Sequence, residues 1–345
     1  MPAHVNGLPL LRSHERIDYK RCPKKWYWRW RMGLEPKAKT FGALELGTWM
    51  HAALAGFYSQ PKREGRALEA WFDAISLHAI EEVARLQSVP EHVINQADEM
   101  RNLGLAMAGA YDKRYGTDPD VHPIQAEVPL EFEITNSDGT LIAVHKLKPD
   151  LVYADSSGDI WIMEHKTAKQ IRLEHLVIDD QARPYVAMAE LALRKAGLLK
   201  RGQQFKGIMY NFLRKALPDE RPMDAAGKYL NKNGSVSKQQ PTPVFVRHPI
   251  TLPRAAKAIT LRRLRTEAIM ITGLAQTLRN KEIDPATIPI TPHNSCAKFC
   301  QYFTMCVTAE QGGNIRNMQR NMYTREDPYA YEEETSDIPS SFEFG

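Results

Sequence analysis

With 345 residues, 43% hydrophobic and 25% charged, the chain is long enough to bury a full core and has the composition of an ordinary globular protein, which excludes disordered and fibrous classes. The formal net charge of +5 is too mild to argue for nucleic acid by itself, but it is unevenly spread: Lys and Arg crowd the first thirty-one residues, where Glu15 and Asp18 are the sole acids, and acids outnumber Arg in the last thirty. No apolar run approaches the ~18–20 residues that cross a bilayer, and no hydrophobic segment precedes a small-residue cleavage site, so an intracellular protein without membrane contact is expected.

Residues 12–32, RSHERIDYKRCPKKWYWRWRM, open the chain as a basic, aromatic segment. Lys20, Arg21, Lys24, Lys25, Arg29 and Arg31 alternate there with Tyr19, Trp26, Tyr27, Trp28 and Trp30. Cations track a phosphate backbone and aromatic faces accept unstacked bases, which suits single-stranded DNA. An amphipathic helix with buried rings and solvated cations gives the same pattern. FGALELGTWMHAALAGFY at 41–58 has helical apolar spacing with His51 mid-helix, and helical stretches follow at about 66–87 and 92–115, with Pro90 as a break.

The pattern then changes to short, β-branched or aromatic runs: IQAEVPLEFEI, GTLIAVHKLK, PDLVYAD and DIWIMEHKT read as consecutive strands. A helix is expected over 173–197, bent or begun by Pro184, then a strand at 205–214 flanked by Lys206, Arg214 and Lys215. Residues 215–243 read as a mobile loop or insertion, VFVRHPI as a late strand and 252–281 as a basic helix, whose Arg254–Arg265 stretch contacts phosphate or simply faces water. From about 316 the acidic chain is expected to be disordered, as a solubilising end or a docking peptide. The divisions are thus 1–120, 121–250 as the core, 251–315, and a tail at 316–345.

KLKPDLVYADSSGDIWIMEHKTA carries the chemistry. It reads as two strands joined by a turn at Asp155–Asp159, with Asp150 entering the first. Glu164 and Lys166 leave the second on one face, because side chains alternate with period two, and His165 points the other way. Two carboxylates and an ammonium converging on a point hold a hard divalent cation beside a polarised water, the chemistry that breaks phosphodiester bonds. Acids and amines also alternate on plain surface strands, and a lone histidine on an apolar helix is often core, so neither this motif nor His51 decides alone.

The ordered set Gly47-Thr48-Trp49-Met50-His51, Glu127, Pro149-Asp150, Glu164-His165-Lys166-Thr167 and Gln181-x-x-x-Tyr185 resembles the PD-(D/E)xK nucleases, in particular the RecB-like branch with its Cas4-type exonucleases and AddB-type nuclease domains. The resemblance spans most of residues 16–306. It implies an α/β, restriction-endonuclease-like fold: a mixed central β-sheet flanked by helices, with an N-terminal helical region and a C-terminal iron–sulfur-binding segment. It implies that His51, Asp150, Glu164 and the backbone carbonyl of His165 bind Mg²⁺ or Mn²⁺, that Lys166 is the catalytic lysine, and that Gln181 and Tyr185 position DNA and support the site. Glu127 would play a supporting part.

Three of the four cysteines, Cys296, Cys300 and Cys306, sit together, and Cys22 stands 274 residues before the first of them. Four thiolates suit a structural Zn²⁺ or an iron–sulfur cluster. One remote cysteine plus a close triplet resembles the [4Fe-4S] arrangement of the Cas4 and AddB nucleases, although their usual C-x-x-C is C-x-x-x-C here. No G-x-x-x-x-G-K-[ST] sequence occurs, since Gly227-Lys228 is followed by Tyr229, so no motor is expected in this chain. The function implied is a metal-dependent DNA exonuclease acting on single strands or ends in recombination, replication or repair, of the sort phages encode, working alone or beside a separate helicase, recombinase or single-strand-binding protein. A structure-specific endonuclease on the same scaffold, or a non-catalytic DNA-binding module with a structural zinc, are the alternatives.

Overall fold

The computed structural model describes residues 4–5, 8–37, 43–60, 67–86, 91–219 and 221–330. Two short strands, β1 (His4–Val5) and β2 (Leu8–Arg12), lead into α1 (Ser13–Arg21) and α2 (Pro23–Trp26), which continues as a π-helical turn at Tyr27–Arg31. Pro23 occupies the first position of α2, where its missing N–H is no loss and its fixed φ pre-forms the helix. After β3 (Leu34–Pro36) come the three expected helices, α3 (Ala43–Ser59), α4 (Leu68–Leu86) and α5 (Glu91–Tyr115). The break assigned to Pro90 lies outside the described residues.

Five strands follow: β4 (His122–Ala126), β5 (Leu130–Thr135), β6 (Leu141–Leu147), β7 (Leu151–Ala154) and β8 (Ile160–Ala168). Where one helix was predicted over 173–197, a 3₁₀ turn at Glu174–Ile178 precedes α6 (Ala182–Lys195), and Pro184 falls in the first turn of α6, the only place an α-helix accepts it without kinking. The chain ends with β9 (Phe205–Arg214), β10 (Phe245–Ile250), α7 (Arg254–Arg279), a 3₁₀ turn at Pro285–Thr287, α8 (Cys296–Phe299), α9 (Phe303–Glu310), α10 (Arg316–Met322) and β11 (Tyr323–Arg325).

The fold is mixed α/β with helices flanking the sheets, but the strands form two main sheets instead of one. A five-stranded sheet runs β10-β9-β8-β7-β4, with only β8 and β9 parallel, and a four-stranded sheet runs β1-β2-β6-β5, with only β2 and β6 parallel. The stretch IQAEVPLEFEI, predicted as a single strand, divides at Glu127, whose φ of +50° turns the chain out of β4 and hands β5 to the other sheet. The β7–β8 hairpin forms as predicted, its turn set by Asp155 Oδ1 accepting from the N–H groups of Ser157 at 2.9 Å and Asp159 at 3.0 Å.

Period-two alternation sends Leu151, Tyr153, Met163 and Leu213 into one core with α3, α4 and α5, and Val152, Ile162, Ile208 and Phe212 into a second core with α6, α7 and the four-stranded sheet. Each such fully buried side chain contributes roughly 1.5–3 kcal/mol. A smaller cluster of Trp28, Leu34, Tyr302, Met305 and Tyr323 joins the two ends of the chain.

Two expectations are corrected. The insertion at 215–243 holds two small hairpin contacts, Met223 opposite Tyr229 and Leu230 opposite Val236, with Arg221 over the Tyr229 ring. The expected tail is structured from Arg316 to Arg325, because β11 pairs with β3 and Tyr323 and Tyr329 are buried; its acidic remainder, 331–345, lies outside the described residues.

Candidate active site

The β7–β8 hairpin carries Asp150 just before β7 and Glu164 and Lys166 on β8, while α3 packs across β8 and brings His51. His51 Nδ1 lies 3.5 Å from Asp150 Oδ1, and the His165 N–H donates to Asp150 Oδ2 at 2.6 Å. Gln181, at the start of α6, links the other pair: its Nε2 donates to Glu164 Oε2 at 3.3 Å and its Oε1 accepts from Lys166 Nζ at 3.1 Å. Lys166 Nζ itself stands 4.0 Å from Glu164 Oε2. Tyr185, one turn on and buried, accepts from the Lys148 N–H at 3.3 Å, next to Pro149-Asp150.

Burial, then the charge of Asp150, pushes the Glu164 carboxyl well above the usual carboxylate range. Burial also works to raise Asp150, but the adjacent His51, helped by His165 and Lys166, outweighs it and holds that carboxyl well below the usual range. For His51, burial pulls the imidazole down, and the Asp150 charge and hydrogen bond overcome it to raise it. Glu127, whose carboxylate pairs with Lys148 Nζ at 3.0 Å, is raised by burial and by Asp150. Burial and mutual charge thus perturb three carboxyl groups and an imidazole at one spot, as commonly happens at functional sites.

Among the described residues no group of three or more His, Cys, Asp or Glu has the spacing of a ready metal site. One observation fits a cation nonetheless: Glu164 Oε1 is buried and meets no hydrogen-bond partner, an acceptor that a positive charge would satisfy.

The basic segment differs from a simple phosphate-tracking row. Trp26, Trp28 and Trp30 are buried, their rings packed within the protein. Lys24 is buried and donates to the carbonyls of Pro285 and Ala286 at 2.9 and 2.8 Å, and Arg31 pairs with the fully buried Glu15. Lys25 and Arg29 pair with Asp18 at 2.5 and 3.2 Å. Lys20 and Arg21 are exposed, the first beside Asp180 at 2.5 Å and the second on Ser295 Oγ at 2.8 Å. The row expected to face DNA is therefore largely an internal clamp, because Glu15 and Asp18 sit one helical turn apart on α1 and draw the cations inward.

All four cysteines are free and border one cavity of about 300 Å³, with Trp28 and Phe299 among its other walls. Cys22 lies between α1 and α2, Cys296 and Cys300 bound α8, and Cys306 is in α9. Burial pushes the Cys300 and Cys306 thiols up, and the neighbouring thiolates add to the effect. The cavity fits a shared cationic group in its donor chemistry, while the thiols stop short of ligand spacing.

Sequence reasoning missed Asp179, whose Oδ1 accepts from the N–H groups of Gln181 and Ala182 at 2.8 and 2.7 Å and so anchors the start of α6; an acid two or three residues ahead of an apolar helix is a capping signal that was there to read. It also missed Asn211 on β9, an amide within the run Gly207–Leu213, which lies 3.0 Å from His165 Nδ1. His165 does face away from Glu164 and Lys166, stacked on Tyr58.

Comparison with known proteins adds the family. One solved crystal structure, that of SSO0001, shares 14% identity over 66% of this chain and 87% of its own, at a TM-score of 0.27, too slight a likeness to carry an argument. Among curated proteins nothing matches. The model of the PD-(D/E)XK nuclease superfamily matches residues 14–307, which takes in every acidic, imidazole and ammonium group of the site just described. The chain belongs to the PD-(D/E)XK nuclease superfamily.

Proposed function

We propose that the protein is a Mg²⁺- or Mn²⁺-dependent deoxyribonuclease of the RecB-like branch, an exonuclease acting on single-stranded DNA or DNA ends. Nucleases of the superfamily are hydrolytic and usually metal-dependent, and act on nucleic acid. The observation that carries the reading is the convergence of His51, Asp150, Glu164, Lys166 and Gln181, from α3, the β7–β8 hairpin and α6, on a spot where Glu164 Oε1 has no partner.

Asp150, Glu164, His51 and the His165 carbonyl are the groups that would hold the cation. When bound, it supplies Lewis-acid polarisation of the scissile phosphate and a more acidic water. The residues of the chain do the rest. Lys166 donates toward the attacking water and the phosphoryl oxygens, where negative charge grows in the transition state. Gln181 keeps the ammonium and the Glu164 carboxylate in register through its two hydrogen bonds. Tyr185 ties α6 to the Lys148–Asp150 turn, and exposed Lys20 and Arg21 are the cations of the opening segment best placed to meet phosphate.

The cavity bordered by Cys22, Cys296, Cys300 and Cys306 is assigned to a structural [4Fe-4S] cluster, with Zn²⁺ as the alternative occupant. On this reading the chain acts alone or beside a separate helicase, recombinase or single-strand-binding protein, in the cytoplasm of a bacterial or phage-infected cell, its sequence holding no phosphate-cradling motif.

The test uses linear DNA labelled at its 5′ or 3′ end, with Mg²⁺, Mn²⁺ or EDTA, and compares wild type with Lys166→Ala. Degradation from an end that needs the cation and falls by about 100-fold or more in the variant is expected. Cutting of circular single strands points to the endonuclease; no divalent-dependent cleavage at all overturns the reading.

A further inference from the structure

Behind the candidate site, polar side chains form a ladder through what is otherwise apolar core. His165, Asn211 and Arg247 are cross-strand neighbours on β8, β9 and β10. Asn211 Nδ2 lies 3.0 Å from both His165 Nδ1 and the Tyr111 hydroxyl. Tyr111 and Tyr58 share a hydrogen bond of 2.7 Å, and Tyr58 donates to Asp118 at 2.7 Å. Arg247 closes the ladder by donating to both oxygens of Asp118, at 2.8 and 2.6 Å, and to both hydroxyls. The His165 ring stacks on Tyr58 at 5.7 Å with an interplanar angle of 11°. Tyr58, Tyr111, Asp118, His165 and Asn211 are each at most 3% exposed, and Asp118 is held at φ +50°.

Burying these groups brings little net stability, since a hydrophobic ladder of the same volume serves a core as well or better. Strained backbone and buried charge persist where the surroundings need a fixed geometry. What this ladder fixes is the ring of His165, and through it one peptide segment of β8. The N–H of that residue holds Asp150 Oδ2, and its neighbours on either side are Glu164 and Lys166.

We propose that the ladder is a positioning device: by immobilising the His165 ring it aims the main chain of residues 164–166 and the Asp150 carboxylate at the cation, and so sets the affinity of the site for Mg²⁺ or Mn²⁺. Asn211 and Tyr111 are its key positioning residues. The inference rests on the reading of the site as metal-dependent, and extends it to side chains that touch neither cation nor DNA.

The experiment is Mn²⁺ binding to the full chain without DNA, followed by the electron paramagnetic resonance of free Mn²⁺. Binding abolished by Glu164→Gln defines this site. Asn211→Leu is expected to weaken that binding by about 10-fold, the usual effect of removing a group that orients a metal ligand, and Tyr111→Phe by several-fold. In cleavage assays both variants recover kcat as Mn²⁺ is raised, with KM for DNA unchanged. Tyr111→Phe keeps the packed ring and loses a single hydroxyl, so it decides the matter even where Asn211→Leu fails to fold. A folded Tyr111→Phe with wild-type Mn²⁺ affinity overturns the ladder's role; wild type that binds no Mn²⁺ at this site overturns the metal reading and the inference together.

Discussion

Glu164 and Asp150 share one patch of charge and are driven in opposite directions, the first up by burial and its neighbour, the second down by His51. The shared face of Glu164 and Lys166 was legible from the two-residue period of a strand, because backbone geometry alone dictates it. The Gln181 bridge to both was suggested only by resemblance, since it depends on where α6 docks. Asn211 and Arg247 were not legible at all: an amide or guanidinium in a short strand looks the same in sequence whether it meets water or a buried partner. His145 poses the same problem in reverse. It lies on β6 with both ring nitrogens buried and unpartnered, and burial first, then the Arg16 charge, holds it well below the ordinary histidine value against a weak pull from the Lys146 backbone. The unfolded chain gains a proton at His145 below about pH 6.5, and the native state refuses it. Stability is therefore present above that pH and lost as the pH falls. His145→Leu should narrow the gap between urea-unfolding free energies at pH 8 and pH 5, and at pH 5 should exceed wild type by about 1–3 kcal/mol. An unchanged gap would refute the assignment.

At the scale of elements, helices α3 to α5 and strands β5 to β9 followed from apolar periodicity because each buries a continuous face. The β3–β11 pair did not, since strands of three residues are too short to show a period and their partners lie about 290 residues apart. Tyr329 donates to the fully buried Glu15 at 2.8 Å, and its main-chain oxygen accepts from Arg12. Gly33, at φ +65°, lets the chain around Glu326 come close: the Glu326 N–H donates to the Gly33 carbonyl at 2.8 Å, and a Cβ on Gly33 would stand 2.2 Å from the Glu326 carbonyl oxygen. Gly33→Ala is expected to cost about 1–3 kcal/mol and to expose the chain beyond residue 322 to protease. Gly139→Ala is the control. It carries the same kind of backbone strain, at φ +87°, with nothing within 4 Å of the new Cβ. Equal losses of stability and equal cleavage patterns in the two variants would show that the close approach at Gly33 holds nothing.

For the molecule as a whole, the first thirty-odd residues are fastened to the last eighty by contacts that do not need a metal. Arg16 pairs with Glu267 at 2.5 Å, the Lys24 N–H donates to the Pro289 carbonyl at 3.1 Å, and β3 joins β11. Against this, bringing Cys22 to Cys296 closes a loop of 274 residues at a cost of about 5 kcal/mol of chain entropy. Salt bridges and single hydrogen bonds contribute about 1 kcal/mol each at most sites, and the buried cluster of Trp28, Leu34, Tyr302, Met305 and Tyr323 adds roughly 1.5–3 kcal/mol per side chain, so the direct contacts already meet the closure. A group held by four thiolates contributes on the order of 10 kcal/mol or more, enough to make the closure firm. On the proposed [4Fe-4S] reading, Cys22→Ala is expected to lose iron and visible absorbance and to fall in folded yield and melting temperature together, with the proposed nuclease activity declining in step because the clamp around Trp28 and Tyr302 loosens. Metal analysis of wild type separates the two occupants, since zinc gives a colourless protein whose stability still drops with the cysteine. A variant that keeps wild-type yield, melting temperature and activity would show that the direct contacts suffice and that the cavity staples nothing.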